Sequence, residues 1–121
     1  MVRLIIALVL ASHGIGHLMG FLAAWTPAAS PFTGRPLVFT NGVTMTSSLG
    51  KVLGLLWLAP LVGFVVGAFG LWLQTGWWQP MLVASAAVSL PLVLPWWNAI
   101  PRLSYAGAVI VNIAVLAALL A

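Results

Sequence analysis

The chain has 121 residues, of which 64% are hydrophobic and only 3% are charged, with a formal net charge of +4. Soluble domains carry about 25% charged residues, so this chain cannot form a water-soluble surface. The composition predicts an all-α integral membrane protein with one domain, held in a lipid bilayer. The four basic residues lie singly near the ends of apolar segments, as interfacial anchors do, and they form no patch for nucleic acid.

The sequence contains no Asp, Glu or Cys. This composition excludes paired-carboxylate chemistry, a Ser-His-Asp triad, carboxylate metal ligands and thiol catalysis. It also excludes disulfides and thiolate metal sites. The residue types that most enzymes use are therefore missing, and the composition favours a protein that is not an enzyme.

Four apolar segments are long enough to cross a bilayer core of about 30 Å. We predict spans at residues 4–24, 51–73, 77–97 and 103–121. The connections between the later spans are short, so those helices must be antiparallel neighbours. Residues 25–50 are rich in Pro, Gly, Ser and Thr and predict one long loop between helices 1 and 2. The predicted fold is an integral membrane four-helix bundle with up-down-up-down topology.

Local signals add detail to this outline. The Asn41-Gly42 pair suits a type I′ turn, so residues 36–46 form either a short hairpin or an irregular loop. Ser47 or Ser48 is expected to cap the second span. Pro60 is expected to kink that span, because proline removes one backbone hydrogen bond.

Small and aromatic residues predict how the helices meet each other and the lipid. Ser12, Gly16, Gly20 and Ala24 recur every four residues and predict a contact face on the first helix. Trp57 lies within a span and is expected to pack inside the bundle. The other aromatic residues at span ends predict two interfacial belts: Trp72, Trp77 and Trp78 in one, and Trp25, Trp96, Trp97 and Tyr105 in the other.

His13 and His17 are the only histidines, and they lie one helical turn apart in the first span. Both should lie near mid-membrane and face protein, because an ionisable side chain in lipid is costly. This spacing allows one helix to offer two nitrogen ligands to one metal ion, such as copper or zinc. The remaining ligands would come from water, from methionine or from a second copy of the chain.

Two other interpretations of the histidines remain open. In the first, the imidazoles bond polar side chains of neighbouring helices, for which Ser85, Ser89 and Asn112 are the candidates, and hold the bundle in register. In the second, they belong to a proton or solute pathway, since histidine titrates near neutral pH.

Several short motifs resemble a family of uncharacterised small four-span bacterial membrane proteins with an HGxxH motif in the first helix. These motifs are HGIGHLMGF in the first span, GLLWLAPLVGF in the second, PWW at the end of the third, and a polar residue within the fourth. The resemblance implies the four-span fold and a location in the bacterial inner membrane. It implies no particular activity.

Together, these observations favour a non-enzymatic membrane protein with a structural or partner-binding function, which binds a transition metal if the paired histidines are ligands. The partner would be a second copy of the chain or another membrane protein. The alternative is a small-solute or proton transporter or channel that acts as an oligomer. A membrane enzyme ranks third.

Overall fold

The computed structural model describes residues 1–27, 32–37 and 42–121. Within these residues the protein is helical and contains no strand. The α-helices are α1 (Val2–Gly16), α2 (Leu18–Trp25), α3 (Ser48–Leu56), α4 (Leu58–Leu73), α5 (Trp78–Val93) and α6 (Arg102–Leu120), and a 3₁₀ turn, Leu94–Trp96, follows α5.

Four helical segments are long and apolar enough to cross a membrane, as the sequence predicted. Span one is Val2–Trp25, span two is Ser48–Leu73, span three is Trp78–Trp96 and span four is Arg102–Leu120. Their order along the chain confirms the four-helix membrane fold, and their ends lie within a few residues of the predicted ones.

The helices of spans one and two are each interrupted at a single residue, which is His17 in span one and Trp57 in span two. Around His17 the backbone tightens, because the His17 N–H bonds the Gly14 carbonyl at 3.0 Å and the Gly20 N–H bonds the His17 carbonyl at 3.2 Å. In span two the interruption at Trp57 precedes Pro60, which has no N–H to donate to the carbonyl of Leu56.

Consecutive spans pack side by side, but spans one and four make few contacts with each other. Helix α1 packs mainly against α4, α4 against α5, and α5 against α6, whereas α1 barely touches α6. Span four is the least buried of the four. A lateral cleft therefore separates span one from span four on the face of the bundle that would meet lipid.

The buried apolar residues form two clusters at the two ends of the bundle. The cluster near the chain termini contains Phe64, Leu82 and Ala86, and the other contains Trp57 and Trp96. The full burial of Trp96 corrects its predicted place in an interfacial belt, whereas the burial of Trp57 confirms the prediction for that residue.

The described part of the connection between spans one and two lies against the far end of the bundle. Residues 26–27, 32–37 and 42–47 are in turns, bends and irregular backbone. Residue 25 and residues 48–50 of the predicted loop belong instead to α2 and α3, and residues 28–31 and 38–41, including Asn41 of the predicted turn, lie outside the described residues. Leu37 N–H bonds the Val43 carbonyl at 2.6 Å, and Ser47 accepts the Gly50 N–H at 3.2 Å, so Ser47 is the N-cap of α3.

Candidate functional site

The two histidines lie where span one packs closely against span two. A Cβ atom at Gly14 would come within 2.8 Å of the Phe64 Cβ, so glycine at this position permits the close approach of α1 and α4. The His13 ring packs edge-on against the Phe64 ring, with 4.7 Å between their centroids. His17 is only 3% exposed, and His13 is partly buried. Both side chains therefore belong to the bundle interior.

Four polar side chains from three spans form one hydrogen-bonded group, which we call the His–Ser–Asn circuit: His13, His17, Ser89 and Asn112. His17 Nε2 lies 2.6 Å from Ser89 Oγ, and the Asn112 Nδ2 amide donates to the same oxygen at 2.8 Å. Asn112 Oδ1 lies 3.4 Å from His13 Nε2, and His17 Nδ1 lies 3.0 Å from the His13 carbonyl. The circuit therefore joins spans one, three and four.

The direction of each hydrogen bond in the circuit follows from the bond between His17 and the His13 carbonyl. A backbone carbonyl only accepts, so Nδ1 of His17 must carry the proton that it donates to the His13 carbonyl. In a neutral imidazole Nε2 then accepts, and the Ser89 hydroxyl donates to it. Ser89 Oγ in turn accepts from Asn112, and Asn112 Oδ1 accepts from the Nε2–H of His13.

With this assignment the hydrogen bonds form a closed ring, which starts at the His13 carbonyl and ends at Nε2 of the same residue. Ser89 and Asn112 are 0% exposed, and their polar side-chain atoms have partners inside the circuit. One ring nitrogen is left over, since Nδ1 of His13 has a lone pair and no hydrogen-bond partner among the described residues.

The sequence-predicted polar residues have different roles in the structure. Ser89 and Asn112 meet the histidines, whereas Ser85 donates its hydroxyl to the Met81 carbonyl of its own helix at 2.7 Å. Ser85 also packs closely against span two, because a Cβ atom at Gly63 would overlap its hydroxyl oxygen. Ser85 is therefore a packing residue outside the circuit.

The geometry of the imidazoles bears on the predicted metal site. Both ring nitrogens of His17 already have partners, and the two imidazole planes are inclined at 86° with 4.9 Å between centroids. The described part of the chain holds no group of three or more His, Cys, Asp or Glu side chains. A metal ion bound by both rings would have to displace Ser89 or the His13 carbonyl from His17.

The small residues of span one that were predicted to form a contact face lie in two environments, one buried and one exposed. Gly20 and Ala24 are buried, and a Cβ atom at Gly20 would overlap the Trp57 indole. Ser12 and Gly16 are exposed, and a Cβ atom at Gly16 would meet nothing within 4 Å. The first half of the predicted contact face therefore borders the cleft.

The cleft between spans one and four has two halves of different character, and the sequence did not indicate it. The half near the chain termini has a volume of about 450 Å³ and is lined by apolar side chains such as Val9, Leu82 and Ala118. The other half has a volume of about 390 Å³ and is lined by His13, Trp57, Ser104 and Gly107, among others. Val111 lines both halves, so they are adjacent along the bundle.

Two buried indoles lack the partner that their N–H groups need. Trp57 and Trp96 are 2% and 0% exposed, and neither Nε1 atom has a hydrogen-bond partner among the described residues. Buried polar groups are usually satisfied, so each orphan donor requires an explanation. Trp57 lines the polar half of the cleft, and this placement distinguishes it from Trp96.

Comparison with known proteins adds no relative: no family model, no curated protein and no solved structure matches the chain.

Proposed function

We propose that this four-span chain is a small non-enzymatic protein of the bacterial inner membrane with a structural or partner-binding function. The observation that carries this proposal is the closed His–Ser–Asn circuit beside a cleft that opens laterally. The location in a bacterial inner membrane is supported by the sequence motifs that resemble a family of small four-span bacterial proteins.

The circuit supports a structural function because its hydrogen bonds link different spans. Helices in lipid gain little from the hydrophobic effect, so close packing and interhelical hydrogen bonds hold them together. Here the two bonds of Ser89 and the bond between His13 and Asn112 tie span three to spans one and four. They provide the buried polar link to span four, which packs on span three and barely touches span one. Two exposed bonds, from Gln79 to the Leu119 carbonyl and from Tyr105 to the Leu94 carbonyl, also join spans three and four.

The cleft supports a partner-binding function because it leaves one side of the circuit accessible from the bilayer. Its two halves of about 450 and 390 Å³ fall within the range of about 300–1,000 Å³ that is typical of ligand sites. His13 belongs both to the circuit and to the cleft wall, so a partner in the cleft would contact the side chain that bonds Asn112 of span four.

The transporter alternative requires a path across the membrane. Within the described residues, the hydrogen bonds of the circuit start and end at His13, so they extend to neither end of the bundle. The two halves of the cleft open to the side of the bundle. These features favour binding over transport.

Reconstitution into proteoliposomes loaded with a pH-sensitive dye tests this choice. Under an imposed pH gradient we expect the same proton leak for wild-type protein, for His17→Ala and for liposomes without protein. A leak that the wild type causes and His17→Ala abolishes would replace our proposal with a proton transporter.

A further inference from the structure

The cleft between spans one and four offers one unused hydrogen-bonding atom, Nδ1 of His13, in one half and only apolar groups in the other. We propose that it binds an amphipathic lipid-like molecule with a hydroxyl group, which places the hydroxyl beside His13 and Trp57 and its hydrocarbon chain along the apolar half. This inference rests on the proposed partner-binding function and names the chemical class of the partner.

The first argument is the hydrogen-bonding capacity that the protein leaves unused. The direction of the circuit makes Nδ1 of His13 an acceptor without a donor among the described residues. His13 lines the polar half of the cleft, and the buried Trp57 indole forms the wall beside it. A hydroxyl group can donate to this nitrogen, whereas a carbonyl or an ether only accepts.

The second argument is the cost of leaving the His13 nitrogen unpaired in a membrane. An unsatisfied polar group in the hydrocarbon region is costly, because no bulk water is present to bond it. His13 lies in the middle part of span one. A ligand that reaches this depth within the bilayer would recover that cost, and only a lipophilic molecule is abundant there.

The third argument is the shape of the site. The apolar half runs beside the circuit toward the end of the bundle that carries both termini, and Val111 joins it to the polar half. Its lining includes Ile6 and Val9 of α1 and Ala114 and Ala118 of α6. A hydrocarbon chain bound there would lie roughly along the bilayer normal for about half of the 30 Å core.

Photolabelling in lipid nanodiscs of phosphatidylethanolamine and phosphatidylglycerol tests the proposal. The probe is a long-chain primary alcohol with a diazirine near the end of its chain, and mass spectrometry locates the adducts. We expect labelling of α1 and α6 in the apolar half. Unlabelled alcohol should compete about tenfold better than its methyl ether, which cannot donate to His13. Equal competition by alcohol and ether would overturn the assigned hydroxyl site.

Two variants with matched controls test the position of the ligand without disturbing the circuit. Gly107 lines the polar half and has open space around it, so Gly107→Leu should fill the site and reduce labelling about tenfold. Ala106→Leu changes the adjacent exposed residue outside the cleft and should label like the wild type. In the apolar half, Ala118→Phe should block the chain, whereas Ala117→Phe should not. Labelling that is equal within each pair would refute the site.

The chain has no cysteine, so a Gly107→Cys variant separates this inference from the proposed function. If a second copy of the chain packed into the cleft about a two-fold axis near this residue, oxidation would link the two copies. Such a dimer would refute the lipid-like ligand and leave a partner-binding function in place. A His17-dependent proton leak in proteoliposomes would instead refute the proposed function itself.

Discussion

Replacing Ser89 with alanine removes one hydroxyl from the centre of the circuit and leaves two buried partners without a bond. His17 Nε2 loses its donor at 2.6 Å, and the Asn112 amide loses its acceptor at 2.8 Å. Ser89 is 0% exposed, so water does not readily replace the hydroxyl. The variant therefore isolates the contribution of the circuit with almost no change in side-chain volume.

The expected effect follows from measured interhelical hydrogen bonds in membranes. Such bonds contribute about 0.6 kcal/mol on average and about 1.7 kcal/mol at most, so the loss of two should lower the unfolding free energy by roughly 1–3 kcal/mol. The figure is smaller than the value for two unsatisfied groups in a soluble core, since helices that separate within the membrane also find other partners.

Ser85→Ala is the matched control, because Ser85 lies one turn earlier on α5 and is also buried. Its hydroxyl bonds only the Met81 carbonyl of the same helix, so its removal should cost less than about 0.5 kcal/mol. Unfolding in mixed micelles with increasing dodecyl sulfate, followed by tryptophan fluorescence, measures both variants. A loss for Ser89→Ala no greater than the loss for Ser85→Ala would refute a stabilising circuit.

Four further predictions concern the same region. Nitrogen NMR of the histidine rings should show the proton on Nδ1 of His17 and on Nε2 of His13; the opposite tautomer of His17 would contradict the assigned bond directions. Gly20→Ala should destabilise the protein by about 1–3 kcal/mol in the same micelle assay, because its methyl group overlaps the Trp57 indole. Gly16→Ala should instead stabilise it by up to about 1 kcal/mol, since that position is helical and open, and a loss there would argue against an open cleft. A chelator should leave the melting temperature of the purified protein unchanged, because both nitrogens of His17 are already bonded, whereas stoichiometric copper or zinc by elemental analysis would restore the metal hypothesis.

The number of spans and their approximate limits followed from the sequence. A run of apolar residues as long as the bilayer core is thick has few alternatives to a helix, because every backbone polar group must be bonded within lipid. For the same reason the polar residues in these runs, including His13, His17 and Asn112, were identifiable as candidates for contacts inside the bundle.

The choice of partners depended on the packing of the helices. Ser85 and Ser89 lie one turn apart on α5 and are both buried, yet only Ser89 meets His17. Similarly, Trp96 is buried while its neighbour Trp97 is exposed. The axial position and rotation of each helix decide such differences, and neither can be read from the spacing of residues along one helix.

The position of the cleft also could not be predicted from the sequence, for a physical reason. In a soluble helix, the contrast between apolar and polar faces reveals which side is buried. In a membrane helix the sides that face lipid and protein are both apolar, so the sequence could place Ser12 and Gly16 on a common face but not determine what that face meets. Composition and length thus specified a four-span membrane protein with inward histidines, whereas only the packed helices determined which groups they bond and where the bundle opens to lipid.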